Sequence, residues 1–207
     1  MPSLKDLKNR IASVKATQKI TRAMKMVAAS KFKRAQNQLE QLSAYRDEIQ
    51  GVMTDLFSRI ELDQIIPMMD ANTNAKKELL IVIASDRGLC GGFNTYILKA
   101  SMQYIQERPE GSVDVISIGN KASSFFKRRG INVVDTYSNL AGNCTESEIA
   151  EILVPVIEQY NSADYRSVTV WYNKFISALQ SEQTQAQLLP IVSPSQASES
   201  DDETQCQ

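Results

Sequence analysis

A glycine-rich stretch in the middle of the chain carries residue types that suggest a chemical role. It reads Ser85-Asp-Arg-Gly-Leu-Cys-Gly-Gly-Phe-Asn94 and includes Asp86, Arg87, Gly88, Gly91 and Gly92. A Walker loop needs Gly, four residues, Gly, then Lys and Ser or Thr, and a dinucleotide fingerprint needs Gly-x-Gly-x-x-Gly. Neither spacing occurs here. The glycines are therefore interpreted mainly as residues that permit a tight turn between a strand and a helix.

The same stretch contains a cysteine, and a cysteine nucleophile normally needs a neighbouring base. The sequence has no histidine, which excludes mechanisms that use an imidazole as base or ligand. The wide separation of Cys90, Cys144 and Cys206 argues against a zinc cluster and favours a reducing compartment. Asp86 and Arg87 are interpreted as a local ion pair. We predict no catalytic residue, no cofactor and no metal.

The element that must organise the chain is a long amphipathic run at its start. Apolar residues recur at spacings of three and four, and no Gly or Pro lies between Ser3 and Gln50. A seven-residue repeat of this length predicts one continuous helix, roughly 85 Å long, that packs on a partner helix as a coiled coil. The apolar seam positions are Leu4, Leu7, Ile11, Val14, Ala28, Phe32, Ala35, Leu39, Leu42, Ile49, Met53, Leu56 and Ile60.

Three adjacent seam positions, Gln18, Thr21 and Lys25, are polar, and the first 35 residues hold ten Lys and Arg but one acid. A basic helix is often only a solvated face. A buried lysine is unfavourable unless it is paired, so the seam is expected to open at this height. The concentration of charge at the polar part of the seam favours an acidic partner surface there.

After the helix, strand and helix patterns alternate, which predicts an α/β domain with a Rossmann-like, mostly parallel sheet. The predicted domains are the coiled-coil helix (1–65), the α/β domain (66–192) and a disordered acidic tail (193–207). We expect Asn94 or Thr95 and Asn120 to cap the first two helices of the α/β domain, and a capping box from Thr145 to Glu148 to begin the third. The predicted strands are 78–84, 113–118, 131–137, 166–175 and 185–192.

Three segments of the chain resemble the gamma subunit of F-type ATP synthases. Residues 1–31 resemble the amino-terminal helix of that family, residues 85–94 its turn after the first strand, and residues 170–175 with 187–190 its late strands. The resemblance implies a non-catalytic rotor subunit in the central stalk, which couples proton flow to ATP synthesis or hydrolysis. The implied partners are the alpha and beta subunits, the epsilon subunit and the c-subunit ring, with no nucleic acid and no small-molecule ligand. The implied location is peripheral, on the cytoplasmic face of a bacterial plasma membrane.

The resemblance also implies a contact between the first helix and an acidic loop of the beta subunits. By the match of this segment, the contact residues are Lys19, Arg22, Met24, Lys25, Met26 and Lys31. The family continues into a second, carboxy-terminal helix that nothing after Val192 resembles. Either another chain supplies the missing helix, two copies pair, or the chain is cut short. We expect a truncated or frameshifted product, or a fragment.

Two other functions are compatible with parts of the sequence. One is a nucleotide-binding α/β protein with a coiled-coil arm. The other is an RNA-binding coiled coil, because a basic helix can follow phosphates. The length of the heptad run and the three matching segments favour the rotor subunit over both.

Overall fold

A computed structural model describes residues 3–59, 68–69, 72–140 and 144–191, with the side chains of 57 and 58 excepted. The chain divides into two compact units, residues 1–59 and 60–207. The predicted domain boundary between residues 65 and 66 and the predicted tail at 193–207 lie outside the described residues.

The first unit consists of one uninterrupted helix, α1 (Leu4–Arg59), of 56 residues. At 1.5 Å per residue its length is about 84 Å. Ser3 and Asp6 cap the start of this helix with two reciprocal hydrogen bonds. The Asp6 amide donates to Ser3 Oγ (3.3 Å), and the Ser3 amide donates to an Asp6 carboxylate oxygen (3.1 Å). These two bonds satisfy amides that the first turn leaves without helical partners. The predicted continuous helix is confirmed, whereas Ile60 lies outside the described residues.

The second unit is built on a five-stranded sheet in the order β3-β2-β1-β4-β5. Its strands are β1 (Lys77–Ile83), β2 (Val113–Ile118), β3 (Val133–Tyr137), β4 (Tyr165–Phe175) and β5 (Ser181–Leu189). The first four strands are parallel and β5 pairs antiparallel with β4. The predicted Rossmann-like, mostly parallel sheet is confirmed, and the fifth strand begins and ends earlier than predicted.

Helices cover both faces of this sheet, which explains why β1 is apolar on both sides. Leu80 and Val82 of β1 belong to one buried cluster, with residues of α2 (Phe93–Gln106) and α3 (Asn120–Lys127). Leu79 and Ile81, which point to the other face, belong to a second cluster with residues of α4 (Glu146–Asn161). Each face therefore has its own core, and central β1 contributes to both.

The helix starts follow the predictions in only one of three cases. Thr145 Oγ1 accepts from the Glu148 amide and the Glu148 carboxylate accepts from the Thr145 amide, so the predicted capping box of α4 is confirmed. Gly92 and Gly119 occupy the cap positions of α2 and α3, and no side chain caps either helix. The predictions of Asn94 or Thr95 and of Asn120 as caps were wrong, because these residues lie inside the helices.

Candidate partner interface

The predicted seam lies along α1 with its apolar side chains open to solvent. Among the residues described here, the exposed fraction of its large aliphatic and aromatic side chains runs from 42% at Phe32 to 72% at Leu4, and Met53 is half-buried. Exposed apolar stripes of this length mark contact surfaces in soluble proteins. Helices in proteins gain most of their stability from packing such a face. The seam is therefore a surface that a partner helix would stabilise.

The six residues predicted to contact the beta subunits all lie on α1. Since each residue turns the helix by about 100°, Lys19, Arg22, Lys25 and Met26 fall within about 120° of one another, whereas Met24 and Lys31 fall on the opposite flank of the seam. Met24 and Met26 are 56% and 70% exposed. The helix therefore places the six side chains on both sides of the seam rather than in one patch.

The positive charge of this part of α1 has no counter-charge within the described helix. No acidic residue lies between Asp6 and Glu40, and the ion pairs described on α1 are Arg46–Asp47 (2.7 Å) and Arg59–Asp55 (2.9 Å). Thr21, at a polar seam position, donates instead to the carbonyl of Thr17 (2.8 Å). An acidic surface that approached residues 19–31 would therefore meet cations that are not already paired.

Asp86 in the glycine-rich turn holds backbone amides rather than a cation. Its two carboxylate oxygens accept from the Asn120 amide (3.1 Å) and the Asn139 amide (3.0 Å). These amides follow β2 and β3, and Asp86 itself follows β1. One side chain thus joins the carboxyl ends of three parallel strands. The predicted ion pair with Arg87 is absent among the described contacts and was wrong.

Asn94 closes the same turn from the first turn of α2. Its Oδ1 accepts from the Ser85 amide (3.0 Å), and its Nδ2 donates to Ser85 Oγ (2.8 Å) and to Cys90 Sγ (3.1 Å). Gly91 has a φ of +60°, a value that glycine adopts without strain. The turn is thus shaped by its own side chains, and Cys90 acts as an acceptor within it.

Sequence reasoning missed a buried charge cluster at the opposite, amino edge of the sheet. Glu78, at the start of β1, is 7% exposed and accepts from Arg108 Nε (2.5 Å), Tyr104 Oη (3.0 Å) and Arg166. Burial raises the pKa of this carboxyl, but the hydrogen bonds from Arg108 and Arg166 outweigh burial and lower the pKa below its usual value. The only sequence signal was a charged residue at the first position of a strand that is otherwise apolar.

Asp114 forms a second buried cluster beside the first. It is 4% exposed and accepts from Lys77 Nζ (3.0 Å), Asn132 Nδ2 (2.6 Å) and Tyr165 Oη (3.2 Å). Burial, followed by the charge of Asp114, raises the pKa of Tyr165 to about 12. Both buried carboxylates are therefore paired, and they join β1, β2 and β4 at their first residues.

Comparison with known proteins identifies the family. The family profile described as ATP synthase matches residues 3–207. The chain is 36% identical to the ATP synthase gamma chain of Chlorobaculum parvum, over 92% of this chain and 67% of that protein. The gamma chain of Heliobacterium modesticaldum is 38% identical, over 97% and 67%. The chain belongs to the ATP synthase gamma-subunit family.

A solved structure agrees with this assignment. The central stalk and c-ring structure of the Tetrahymena thermophila mitochondrial ATP synthase contains a similar chain, with a TM-score of 0.67, 30% identity and coverage of 83% of this chain and 72% of that one. The resemblance of the three segments is confirmed: this is a central-stalk, non-catalytic rotor subunit of an F-type ATP synthase. The chain spans about two thirds of the length of the curated gamma chains cited above. In the described part of the chain, no helix has the length and hydropathy needed to cross a membrane.

Proposed function

We propose that α1 of this gamma subunit acts as a rotor shaft whose apolar seam is covered by a second helix. The supporting observation is the exposed seam on one uninterrupted 56-residue helix. At about 25 cal/mol per Å² of apolar surface removed from water, pairing with a second helix would contribute many kcal/mol to the stability of the shaft. The second helix is supplied by another segment of the protein, by another chain or by a second copy.

The proposed contacts with the catalytic subunits lie at basic residues in the seam, at Lys25, and on its two flanks. Lys19, Arg22, Lys25 and Lys31 make no ion pair with other described residues and would attract an acidic loop of the beta subunits. Met24 and Met26 supply exposed, adaptable apolar contacts on the two flanks. Contacts on both sides of a seam suit a loop that the shaft passes repeatedly as it turns.

We further propose that this chain assembles with its other partners as the gamma-subunit family does. In that assembly, the domain beginning near residue 66 contacts the epsilon subunit and the c-subunit ring. The complex lies on the cytoplasmic face of a bacterial plasma membrane, and proton flow through the ring turns the shaft. The Tetrahymena structure, which comprises the central stalk and the c-ring, supports the contact with that ring.

The decisive experiment reverses charge on the shaft in a reconstituted enzyme. Arg22→Glu and Lys25→Glu should each lower proton-driven ATP synthesis while the complex still assembles, because a like charge then faces the acidic loop. Arg10→Glu is the matched control: it also reverses an arginine on α1, but at a position about 18 Å along the helix axis from Arg22, at about 1.5 Å per residue. Coupled rates that are equal for all three variants and the wild type would refute the proposed contact.

A further inference from the structure

A cavity of about 410 Å³ lies between α4 and the carboxyl half of the sheet. Its strand walls include Ile83, Ile118 and Val170, and its helix wall includes Ile149 and Leu153. Among the described residues that line it, the side chains other than those of Asp86 and Cys144 are aliphatic, and none is basic. The volume lies within the range of small-molecule sites in proteins, about 300 to 1,000 Å³.

The position of the cavity follows from the topology. The two helices α2 and α3 cover one face of the sheet, while α4 belongs to the cluster on the other. The chain builds outward from β1 through β2 to β3, and then returns to place β4 on the other side of β1. Doubly wound sheets bind their ligands beside this reversal, at the carboxyl ends of the strands. The cavity occupies that place on the α4 face.

One carboxylate lines the described part of the cavity, and a second lies close to the lining residue Cys144. Asp86 contributes a carboxylate whose described partners are two uncharged backbone amides. Glu148 lies close enough to Cys144 that its charge, after burial, raises the pKa of that thiol. The hydrogen bonds from the Thr145 amide and hydroxyl lower the pKa of Glu148, which keeps it ionised at neutral pH. An anionic ligand would therefore be repelled and a cation attracted.

We propose that this cavity binds a small molecule with an apolar body and a cationic head group. The body lies against the aliphatic walls, where its transfer from water is favourable. The head lies beside Asp86 and Glu148 and is selected by charge. This ligand class goes beyond the rotor assignment, does not depend on it, and departs from the expectation of no small-molecule ligand.

The chain contains a reporter for this site and an internal control. Cys144 lines the cavity, whereas Cys90 lies in the glycine-rich turn and does not; both thiols are exposed. We would measure the alkylation rate of each by peptide mass spectrometry on the full chain, in decyltrimethylammonium, decanol or decyl sulfate below their micelle concentrations. The cationic probe should slow alkylation of Cys144 at least about fivefold at saturation, as expected for occupancy above four fifths. Cys90 should be unaffected, and decyl sulfate should give no protection.

Two substitutions on neighbouring residues of α4 separate binding in the cavity from binding elsewhere. Leu153→Trp adds bulk to a lining residue and should abolish protection, whereas Val154→Trp introduces the same side chain at an exposed residue that does not line the cavity. Circular dichroism would check that both variants fold, and the comparison of head groups on the wild type stands without either variant. Equal protection by all three probes, equal protection of Cys90, or no saturation would each overturn the proposal.

Discussion

A substitution at Gly119 tests how tightly the carboxyl edge of the sheet is built. This glycine joins β2 to α3 with a φ of +99° and ψ of 138°, a region that other residues rarely adopt. A β-carbon built there would overlap the backbone carbonyl oxygen of Ala84, at the end of β1. No rotamer change relieves that overlap, because the backbone fixes the position of the β-carbon and the oxygen that it meets belongs to the main chain.

The magnitude follows from two contributions. A strained backbone region costs about 1–3 kcal/mol, and inserting a methyl group into a close-packed site costs about 1–3 kcal/mol more. We therefore expect Gly119→Ala to lower the free energy of unfolding of this unit by about 4 kcal/mol, a large part of the 5–15 kcal/mol typical of a domain. Gly130→Ala is the matched control. Its φ is +70° with no atom within 4 Å, so it should cost only about 1–2 kcal/mol.

Urea unfolding followed by fluorescence would measure both values. Trp171 is the only tryptophan in the sequence and packs against the core shared with α2 and α3, so its emission reports on this unit. If Gly119→Ala costs no more than Gly130→Ala, the proposed overlap between strands is refuted. Gly51→Ala, in α1 with open space around its Cα, should instead increase helicity, because alanine favours a helix interior by about 1 kcal/mol over glycine.

Three further predictions concern polar groups of the second unit. Glu78→Gln should lower the free energy of unfolding of the unit by about 2 kcal/mol, since it leaves Arg108 without its carboxylate partner. Because the pKa of Glu78 is lowered in the folded state, its contribution is present above about pH 4.3 and is lost as the pH falls through the folded pKa. Urea melts of the two proteins should therefore converge in acid. Thr145→Ala removes the cap of α4 and should cost about 1 kcal/mol, with Thr145→Ser nearly neutral in the same melts; equal losses would contradict the capping bond. The hydrogen bond to Asp135, followed by burial, raises the pKa of Tyr137 to about 12. Asp135→Asn should therefore move the pKa of one of the seven tyrosines back toward 10 in an ultraviolet titration. An unchanged titration curve would argue against that bond.

The architecture was predictable because it depends on periodicity. The heptad spacing of α1 was readable from the sequence alone, because a seven-residue repeat of this length is compatible with one continuous helix of about 84 Å. The strands of the parallel sheet were predictable because burial on both faces leaves continuous apolar runs such as Leu79 to Ala84. Gly130, shortly after the end of α3, has a φ of +70°, a value that glycine adopts without strain.

The details of the two sheet edges were not predictable from local sequence. Asp86 bonds amides 34 and 53 residues further along the chain, and no local pattern records such distant partners. Glu78 is similarly held by residues 30 and 88 positions away. The failed caps have the same cause: Asn94 suits a helix start by its type, but the folded turn uses its amide for Ser85 instead. The local conformational preference of a residue does not decide its role where a contact formed on folding satisfies more hydrogen-bonding groups.

Asp86 has a consequence for which ligands this doubly wound sheet can accept at the start of α3. In many doubly wound proteins the backbone amides at the start of a helix donate hydrogen bonds to a bound phosphate. Here the Asn120 donor at the start of α3 already holds a carboxylate from the chain itself. The Asp86 carboxylate thus takes the position that a bound anion would occupy. It links the carboxyl ends of the strands without any ligand.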